Sequence, residues 1–169
     1  QASLCYKKLS MSKKNSNVLS LKNQLLNNKK ISIIYNKFKF ILKNSLNRNA
    51  FVIAVSGGPD SLALSALGKI YAQEKKSKIF FVIIDHGIRK NSSYEAKLVK
   101  KLLKKKSISL NIVKNKKKIN NNIQKKAREI RYNLLLEFCK KNNIKFILTG
   151  HHRDDQIETF LIRLSRGSG

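Results

Sequence analysis

The residues best suited to chemistry in this chain form the segment Ser56-Gly57-Gly58-Pro59-Asp60-Ser61. It follows a run of β-branched residues and precedes an apolar helical pattern, so a buried strand is predicted to lead into a glycine loop that opens a helix. Backbone N–H groups and the helix dipole at such a junction attract anions. Two glycines let the backbone approach a phosphate closely, and Pro59 suits the first helical turn. The segment therefore predicts a phosphate site.

Asp60 is unusual in such a loop, because a carboxylate beside phosphates is repulsive unless a cation bridges them. Mg²⁺ is the natural bridge. The spacing matches neither the G-x-x-x-x-G-K-S/T nor the G-x-G-x-x-G pattern, which argues against the common phosphate-binding motifs. The alternative is an ordinary strand–turn–helix in which Asp60 or Ser61 caps the helix.

A second polar cluster, Asp85-His86-Gly87-Ile88-Arg89, directly follows another apolar run. Functional residues often collect in a loop that follows a strand. The alternative is that Asp85 only caps a turn and that the His86 side chain is solvated.

A third cluster contains Asp155 and Glu158, which lie three residues apart at the start of a predicted helix. With Asp154 they place three of the nine acidic residues within five positions of a chain whose net charge is +28. This concentration predicts a positively charged ligand, either Mg²⁺ or a substrate ammonium group. The alternative is the general stabilisation of a helix N-terminus by acids. His151 and His152 have no further ligands at zinc spacing.

The charge favours an RNA partner. Only seven of the 37 basic residues are arginines, and the abundance of Lys, Asn and Ile is typical of AT-rich coding. Arg128 and Arg131 share one face of a predicted helix, which fits either phosphate contact or a solvated surface. Charge alone therefore does not establish what the partner is.

The elements that must position these clusters alternate along the chain. Strands are predicted at 51–55, 79–84, 108–113 and 146–149, and helices at 61–73, 93–105, 122–141 and 154–164, with Ser92 or Ser93 as the cap of the second. Four β-then-α units predict an α/β fold, a Rossmann-like parallel sheet with helices on both faces. Ligands of such sheets bind beyond the carboxyl ends of the strands. The loops that begin at Ser56, Asp85 and Gly150 are therefore predicted to lie on one rim.

Residues 1–17 are predicted to be disordered, and residues 18–49 to form a helical N-terminal extension. No stretch of about 18 apolar residues exists, so no membrane span is predicted. Cys5 and Cys139 lie far apart and form no C-x-x-C motif. That pattern fits a reducing cytoplasm and argues against a disulfide framework or an iron–sulfur site.

Together these segments resemble the tRNA(Ile)-lysidine synthase family of PP-loop ATP pyrophosphatases. The matching segments, in the family's order, are Ser56–Ser61, Ile84–Arg89, Ala127–Tyr132, and His151–Thr159 followed by Arg163–Gly169. The resemblance implies a PP-loop, adenine nucleotide alpha hydrolase-like catalytic domain over residues 50–169. Members of the family continue past Arg-Gly-Ser-Gly, so it also implies that this domain is truncated at its C-terminal end.

The resemblance implies an ATP-dependent ligase that joins free lysine to carbon 2 of the wobble cytidine of a tRNA(Ile) with a CAU anticodon. The base would first be adenylated with release of pyrophosphate, and the lysine amine would then displace AMP. The ATP-binding residues that it implies are Ser56, Gly57, Gly58, Pro59, Asp60, Ser61, Asp85 and His86. The catalytic residues would be Asp60, Asp155 and Glu158, with Mg²⁺ held by Asp60 and Asp155. The resemblance assigns no exact role to His151, His152, Arg89, Arg128 or Arg166.

Two alternatives stay open. Enzymes of the 2-thiocytidine type share the loop and a His-His-x-Asp-Asp segment, but they carry a C-x-x-C pair where this chain has Ala127–Arg131. A basic RNA-binding module with a vestigial nucleotide site would also explain the charge, although the intact glycine loop argues against it. The salt dependence of tRNA binding with and without ATP distinguishes such a module from an enzyme, because purely electrostatic binding ignores the nucleotide.

Overall fold

The structure is a computed structural model, and it describes residues 21–46, 49–88, 91–116, 123–150 and 162–163. The elements in chain order are α1 (Lys29–Leu46), β1 (Phe51–Ala54), α2 (Pro59–Glu74), β2 (Ile79–Asp85), α3 (Ser92–Lys105), β3 (Leu110–Lys114), α4 (Ile123–Lys141), β4 (Phe146–Thr149) and β5 (Ile162–Arg163). Residues 21–26 are helical as well. The segment 1–17, predicted to be disordered, lies outside the described residues.

The strands form one sheet in the order β3-β2-β1-β4-β5. The pairs β1–β2, β1–β4 and β2–β3 are all parallel. The predicted α/β fold with a parallel sheet is therefore confirmed. From β1 the chain steps to β2 and β3 on one side and then crosses back to β4 on the other side of β1. This places a topological switch point between β1 and β4, where ligands of such sheets bind.

Helices cover both faces of the sheet, as predicted. Phe51 and Ile53 of β1 belong to a core that also contains buried residues of α1, α2 and α3. Val52, which points to the opposite face because side chains alternate along a strand, packs with Leu135 and Cys139 of α4. The Cys139 thiol is buried, and this burial raises its pKa to about 11.

The prediction of a helix over 154–164 is wrong at residues 162 and 163. These two residues form β5 and pair antiparallel with β4, Ile162 opposite Ile147 and Arg163 opposite Phe146. Without β5, β4 would be an open edge of the sheet, and β-branched isoleucine suits a pleated surface. The remainder of that predicted helix lies outside the described residues. Within the ranges that the structure describes, every helix is too short or too polar to cross a membrane.

Candidate nucleotide site at the switch point

The glycine loop joins β1 to α2 as predicted, and its first glycine is required by the backbone. Gly57 has φ +90°, a conformation that residues with a Cβ rarely adopt. A Cβ there would also lie only 2.9 Å from Cγ2 of Val99 on α3. Gly57 therefore lets the loop turn and lets it pack closely against α3.

The start of α2 is open to an anion. Gly58 is its N-cap in an extended conformation, Pro59 is its first residue, and no side chain caps the first turn. The amide groups of a first turn have no partners inside the helix, and the helix dipole concentrates positive charge there. This arrangement suits a phosphate, which supports the sequence prediction for the loop.

The Ser61 hydroxyl holds the loop together. Its oxygen accepts hydrogen bonds from the backbone N–H groups of Ser56 and Gly57, each at 3.2 Å, and it donates to the Gly58 carbonyl at 2.9 Å. The Ser61 residue is only 1% exposed. The Ser61 side chain therefore has a structural role in the loop. Only the backbone N–H of Ser61 could donate to a phosphate.

Asp60 lies on the first turn of α2 and is half-buried. It is not among the residues that line the neighbouring cavity. Within the described ranges, no group of three His, Cys, Asp or Glu side chains could hold a metal ion. Asp155, the other predicted Mg²⁺ ligand, lies outside those ranges, as do Glu158, His151, His152, Arg89 and Arg166.

A cavity lies beside the loop at the carboxyl ends of β1, β2 and β4. Its lining includes three of the residues predicted to bind ATP, namely Ser56, Asp85 and His86, and it continues to Thr149 and Gly150. The prediction that the loops at Ser56, Asp85 and Gly150 share one rim is therefore confirmed. A cavity at this edge of a parallel sheet lies where ligands of such folds bind.

Asp85 is a buried carboxylate with partners of its own. Oδ1 accepts hydrogen bonds from Ser92 Oγ at 2.7 Å and from the Gly87 N–H at 3.2 Å, and Oδ2 accepts one from Ser93 Oγ. Burial raises the pKa of this carboxyl, but the three hydrogen bonds and the charge of Lys114 lower it by more. Asp85 is therefore held ionised, with its oxygens directed at the start of α3.

The two serines do not cap α3 as predicted. The N-cap residue is Asn91, and its side chain makes no capping hydrogen bond. Ser92 and Ser93 are the first two residues of the helix, and their hydroxyls donate to Asp85 instead. A carboxylate is a stronger acceptor than a neutral group, which explains why both hydroxyls turn toward it.

His86 is half-buried at the rim of the cavity. Its Nδ1 accepts a hydrogen bond from the Ile88 N–H at 3.3 Å, and its carbonyl oxygen accepts one from Asn115 Nδ2 at 3.3 Å. A neutral imidazole that accepts at Nδ1 carries its proton on Nε2. In this tautomer the donor of the His86 ring is therefore its Nε2–H group.

Arg131 and Tyr132 of α4 also line the cavity, from the other side of the sheet. Arg128 lies with its guanidinium carbon 5.9 Å from the centre of the Tyr132 ring and is itself exposed. The helical spacing placed both arginines on one face, and the structure brings only Arg131 to the cavity. Sequence reasoning missed Glu95 and Thr149 in the lining, because neither belongs to a polar cluster in the sequence.

The fold and the site together define a class of protein. A family model described as a PP-loop domain matches residues 29–169. The chain therefore belongs to the PP-loop family of ATP-binding domains. The match includes α1, which packs into the same core as the sheet.

Named relatives indicate a narrower group of enzymes within the PP-loop family. The chain is 43% identical over 143 residues to the tRNA(Ile)-lysidine synthase of Wolbachia pipientis wMel, an alignment that covers 79% of this chain and 33% of that protein. It is 43% identical over 120 residues to the enzyme of the same name from Orientia tsutsugamushi, covering 69% of this chain and 27% of that protein. The chain thus spans between about a quarter and a third of the length of the curated relatives that it matches.

A solved structure shares the fold. It is the U34-tRNA thiolase NcsA from Methanococcus maripaludis with its [4Fe-4S] cluster, with a TM-score of 0.57 and 20% sequence identity. The match covers 71% of this chain and 45% of that chain. At this level of identity the similarity establishes the architecture alone.

Proposed function

We propose that this chain provides the nucleotide site of a tRNA(Ile)-lysidine synthase. In the reaction of such a synthase, ATP adenylates the oxygen on carbon 2 of the wobble cytidine of a CAU-anticodon tRNA(Ile), and pyrophosphate leaves. The amine of free lysine then attacks carbon 2, loses a proton and displaces AMP. The product is lysidine, and the reaction would take place in the cytoplasm, where tRNA and free lysine occur.

The observation that carries the proposal is the open glycine loop at the switch point between β1 and β4. It combines an uncapped helix N-terminus with a neighbouring cavity, and the relatives of 43% identity are named as lysidine synthases. An anion site beside a cavity is what a nucleotide requires, because its phosphates and its base are recognised by different kinds of contact. The amides of the loop would hold the phosphates, and the cavity would receive the nucleoside.

The residues around the cavity suit these tasks. Arg131 would contact an anionic group of the nucleotide or of the RNA, since guanidinium groups form paired hydrogen bonds with phosphate. His86 would donate from Nε2 to a base or a ribose. Asp155 and Glu158, which lie outside the described residues, are proposed from the sequence to orient the lysine ammonium and accept its proton, because a lysine amine is mostly protonated near neutral pH.

Mg²⁺ would be held by Asp60 and Asp155, whose carboxylate oxygens are the hard ligands that this ion prefers. When bound, it would neutralise charge on the departing pyrophosphate. The position of Asp60 on the first turn of α2, next to the loop, supports this proposal.

Titration calorimetry of this chain with ATP and excess Mg²⁺ tests the nucleotide site. Asp60→Ala should weaken ATP binding by at least tenfold, a change of about 1.4 kcal/mol. Glu137→Ala serves as the matched control, because Glu137 is an exposed acidic residue on α4. It should bind ATP as the unchanged chain does. Absence of ATP binding in a chain shown to be folded by circular dichroism would refute the nucleotide site.

Incorporation of radiolabelled lysine into tRNA tests the reaction itself. A tRNA(Ile) transcript with a CAU anticodon should acquire lysine in an ATP-dependent manner, and the same transcript with uridine at the wobble position should not. Equal labelling of both transcripts would refute the ligase assignment and leave the nucleotide site intact.

A further inference from the structure

Asp85 joins two elements that flank the candidate site. It is the last residue of β2, and its carboxylate receives the Ser92 and Ser93 hydroxyls at the first turn of α3. Its backbone is also held, because its carbonyl oxygen accepts a hydrogen bond from the Asn115 N–H at 2.8 Å. The carboxylate lies where the dipole of α3 favours negative charge. Asp85 therefore fixes the start of α3 to the end of β2.

Helix α3 in turn supports the glycine loop. Val99 lies two turns beyond Ser92, and its Cγ2 would be 2.9 Å from a Cβ at Gly57. Closely packed contacts of this kind transmit small displacements, because protein interiors have few voids to absorb them. A shift at the start of α3 would therefore move the surface against which Gly57 rests.

The exposure of Asp85 argues against direct contact with a ligand. The residue is 4% exposed, and three donors already occupy its two oxygens. Displacing a donor in favour of a ligand would leave a buried serine hydroxyl without a partner, which is costly. The contacts of Asp85 are thus those of a support for the site.

We propose that Asp85 is a positioning residue for the glycine loop, acting through the two serines, α3 and Val99. The proposal rests on ATP binding at that loop. It replaces the sequence interpretation of Asp85 as a direct ATP ligand with an indirect role. Ser92 and Ser93, which no motif singles out as functional, become part of the same support.

Substitution of Ser93 tests the support without touching the site. Ser93→Ala should weaken ATP binding by about tenfold, because it removes a hydrogen bond to a charged group. Ser93→Thr keeps the hydroxyl and should stay within about twofold of the unchanged chain. Ser109→Ala is the matched control, since Ser109 is exposed and lies beyond the far end of α3; it should leave ATP binding unchanged.

The route through Val99 is tested by a double-mutant cycle. In a Val99→Ala background, adding Ser93→Ala should weaken ATP binding by less than about twofold, because the contact that carries the effect is already gone. Equal effects of Ser93→Ala in both backgrounds would overturn the proposed route. Loss of ATP binding in Asp85→Asn, with no change in Ser93→Ala, would also overturn it, because that result makes Asp85 a direct ligand.

Amide hydrogen exchange provides a readout that does not require ATP. The Gly57 N–H donates to Ser61 Oγ, and Ser93→Ala should speed its exchange while leaving amides in β4 unchanged. Unchanged exchange at Gly57 would refute the support role even if ATP binds. The unchanged chain could instead fail to bind ATP while Ser93→Ala still speeds exchange at Gly57. That result would refute the nucleotide site but would still show that Asp85 and the two serines support the glycine loop.

Discussion

Gly150 lies directly against Asp60. A Cβ at position 150 would be 3.3 Å from the Asp60 carbonyl carbon and 3.3 Å from the Ser61 backbone nitrogen. The end of β4 therefore rests on the first turn of α2, the same turn that opens the candidate phosphate site. The segments that follow the two strands flanking the switch point are thus in backbone contact with each other.

This contact predicts that Gly150→Ala impairs nucleotide binding. The added methyl group meets backbone atoms, which cannot rotate away as a side chain can, and overpacking of this kind costs about 1–3 kcal/mol. We expect ATP affinity to fall by roughly tenfold, measured by titration calorimetry. Equal ATP affinities of Gly150→Ala and the unchanged chain would contradict the prediction.

Ser61→Ala should loosen the glycine loop. It removes the acceptor for the Ser56 and Gly57 N–H groups and the donor to the Gly58 carbonyl. Buried groups left without partners cost about 1–3 kcal/mol in stability, and ATP binding should weaken as the loop amides lose their alignment. Chemical denaturation and calorimetry measure the two effects.

Ser65→Ala is the control for that substitution. Ser65 is also buried on α2, one turn further on, and its hydroxyl donates to the Ser61 carbonyl at 2.7 Å. It should lower the free energy of unfolding with little effect on ATP affinity. If both variants lose ATP affinity equally, the loop hydroxyl has no special role.

The strands and the glycine loop were predictable from the sequence because their signals are local. The run Phe51–Val55 and the two glycines that follow specify a strand and a tight turn without reference to the rest of the chain. The rim also followed from the sequence, because parallel strands place their carboxyl ends together. The residues of the loop are therefore close to where the sequence placed them.

The contacts of Asp85 were not predictable in the same way. Capping preferences concern one helix at a time, and they predict Ser92 or Ser93 as the cap of α3. The hydroxyls turn instead to a carboxylate at the end of β2, a choice that depends on the path of the intervening loop. Similarly, β5 depends on the edge left by β4, a property of the assembled sheet that no local pattern contains.

Glu74 predicts a dependence of stability on acid. Its carboxylate pairs with Lys22 and with Lys39, each at 2.7 Å, and so ties the N-terminal helices to the end of α2. Burial raises the pKa of Glu74, but the hydrogen bonds from Lys22 and Lys39 and the charge of Lys39 lower it by more, to about 2 from an ordinary 4.5. The stabilisation is therefore complete above the ordinary pKa and is lost as the pH falls toward 2.

Glu74→Gln should remove this dependence. Between about pH 5 and about pH 2 the unchanged chain should lose roughly 1 kcal/mol more unfolding free energy than the variant, a value reduced for the solvent exposure of the lysines. Urea denaturation at a series of pH values measures the difference. Glu137→Gln, at an exposed position on α4, should retain the full pH dependence. Parallel pH curves for the unchanged chain and Glu74→Gln would contradict the assignment.

Alanine substitution of Arg131 and of Arg128 should affect ATP binding differently. Both belong to α4, three residues apart, but Arg131 lines the cavity while Arg128 is exposed beside the Tyr132 ring. Arg131→Ala should weaken binding of ATP, or of an RNA containing the wobble cytidine, by about tenfold, because it removes a donor able to form paired hydrogen bonds with phosphate.

Arg128→Ala should keep an ATP affinity within about twofold of that of the unchanged chain. Any effect of this substitution on RNA binding should diminish in high salt, because salt screens an exposed charge. Calorimetry with ATP and filter binding with RNA at two salt concentrations measure both effects. A larger loss of ATP affinity in Arg128→Ala than in Arg131→Ala would show that the nucleotide lies outside the cavity.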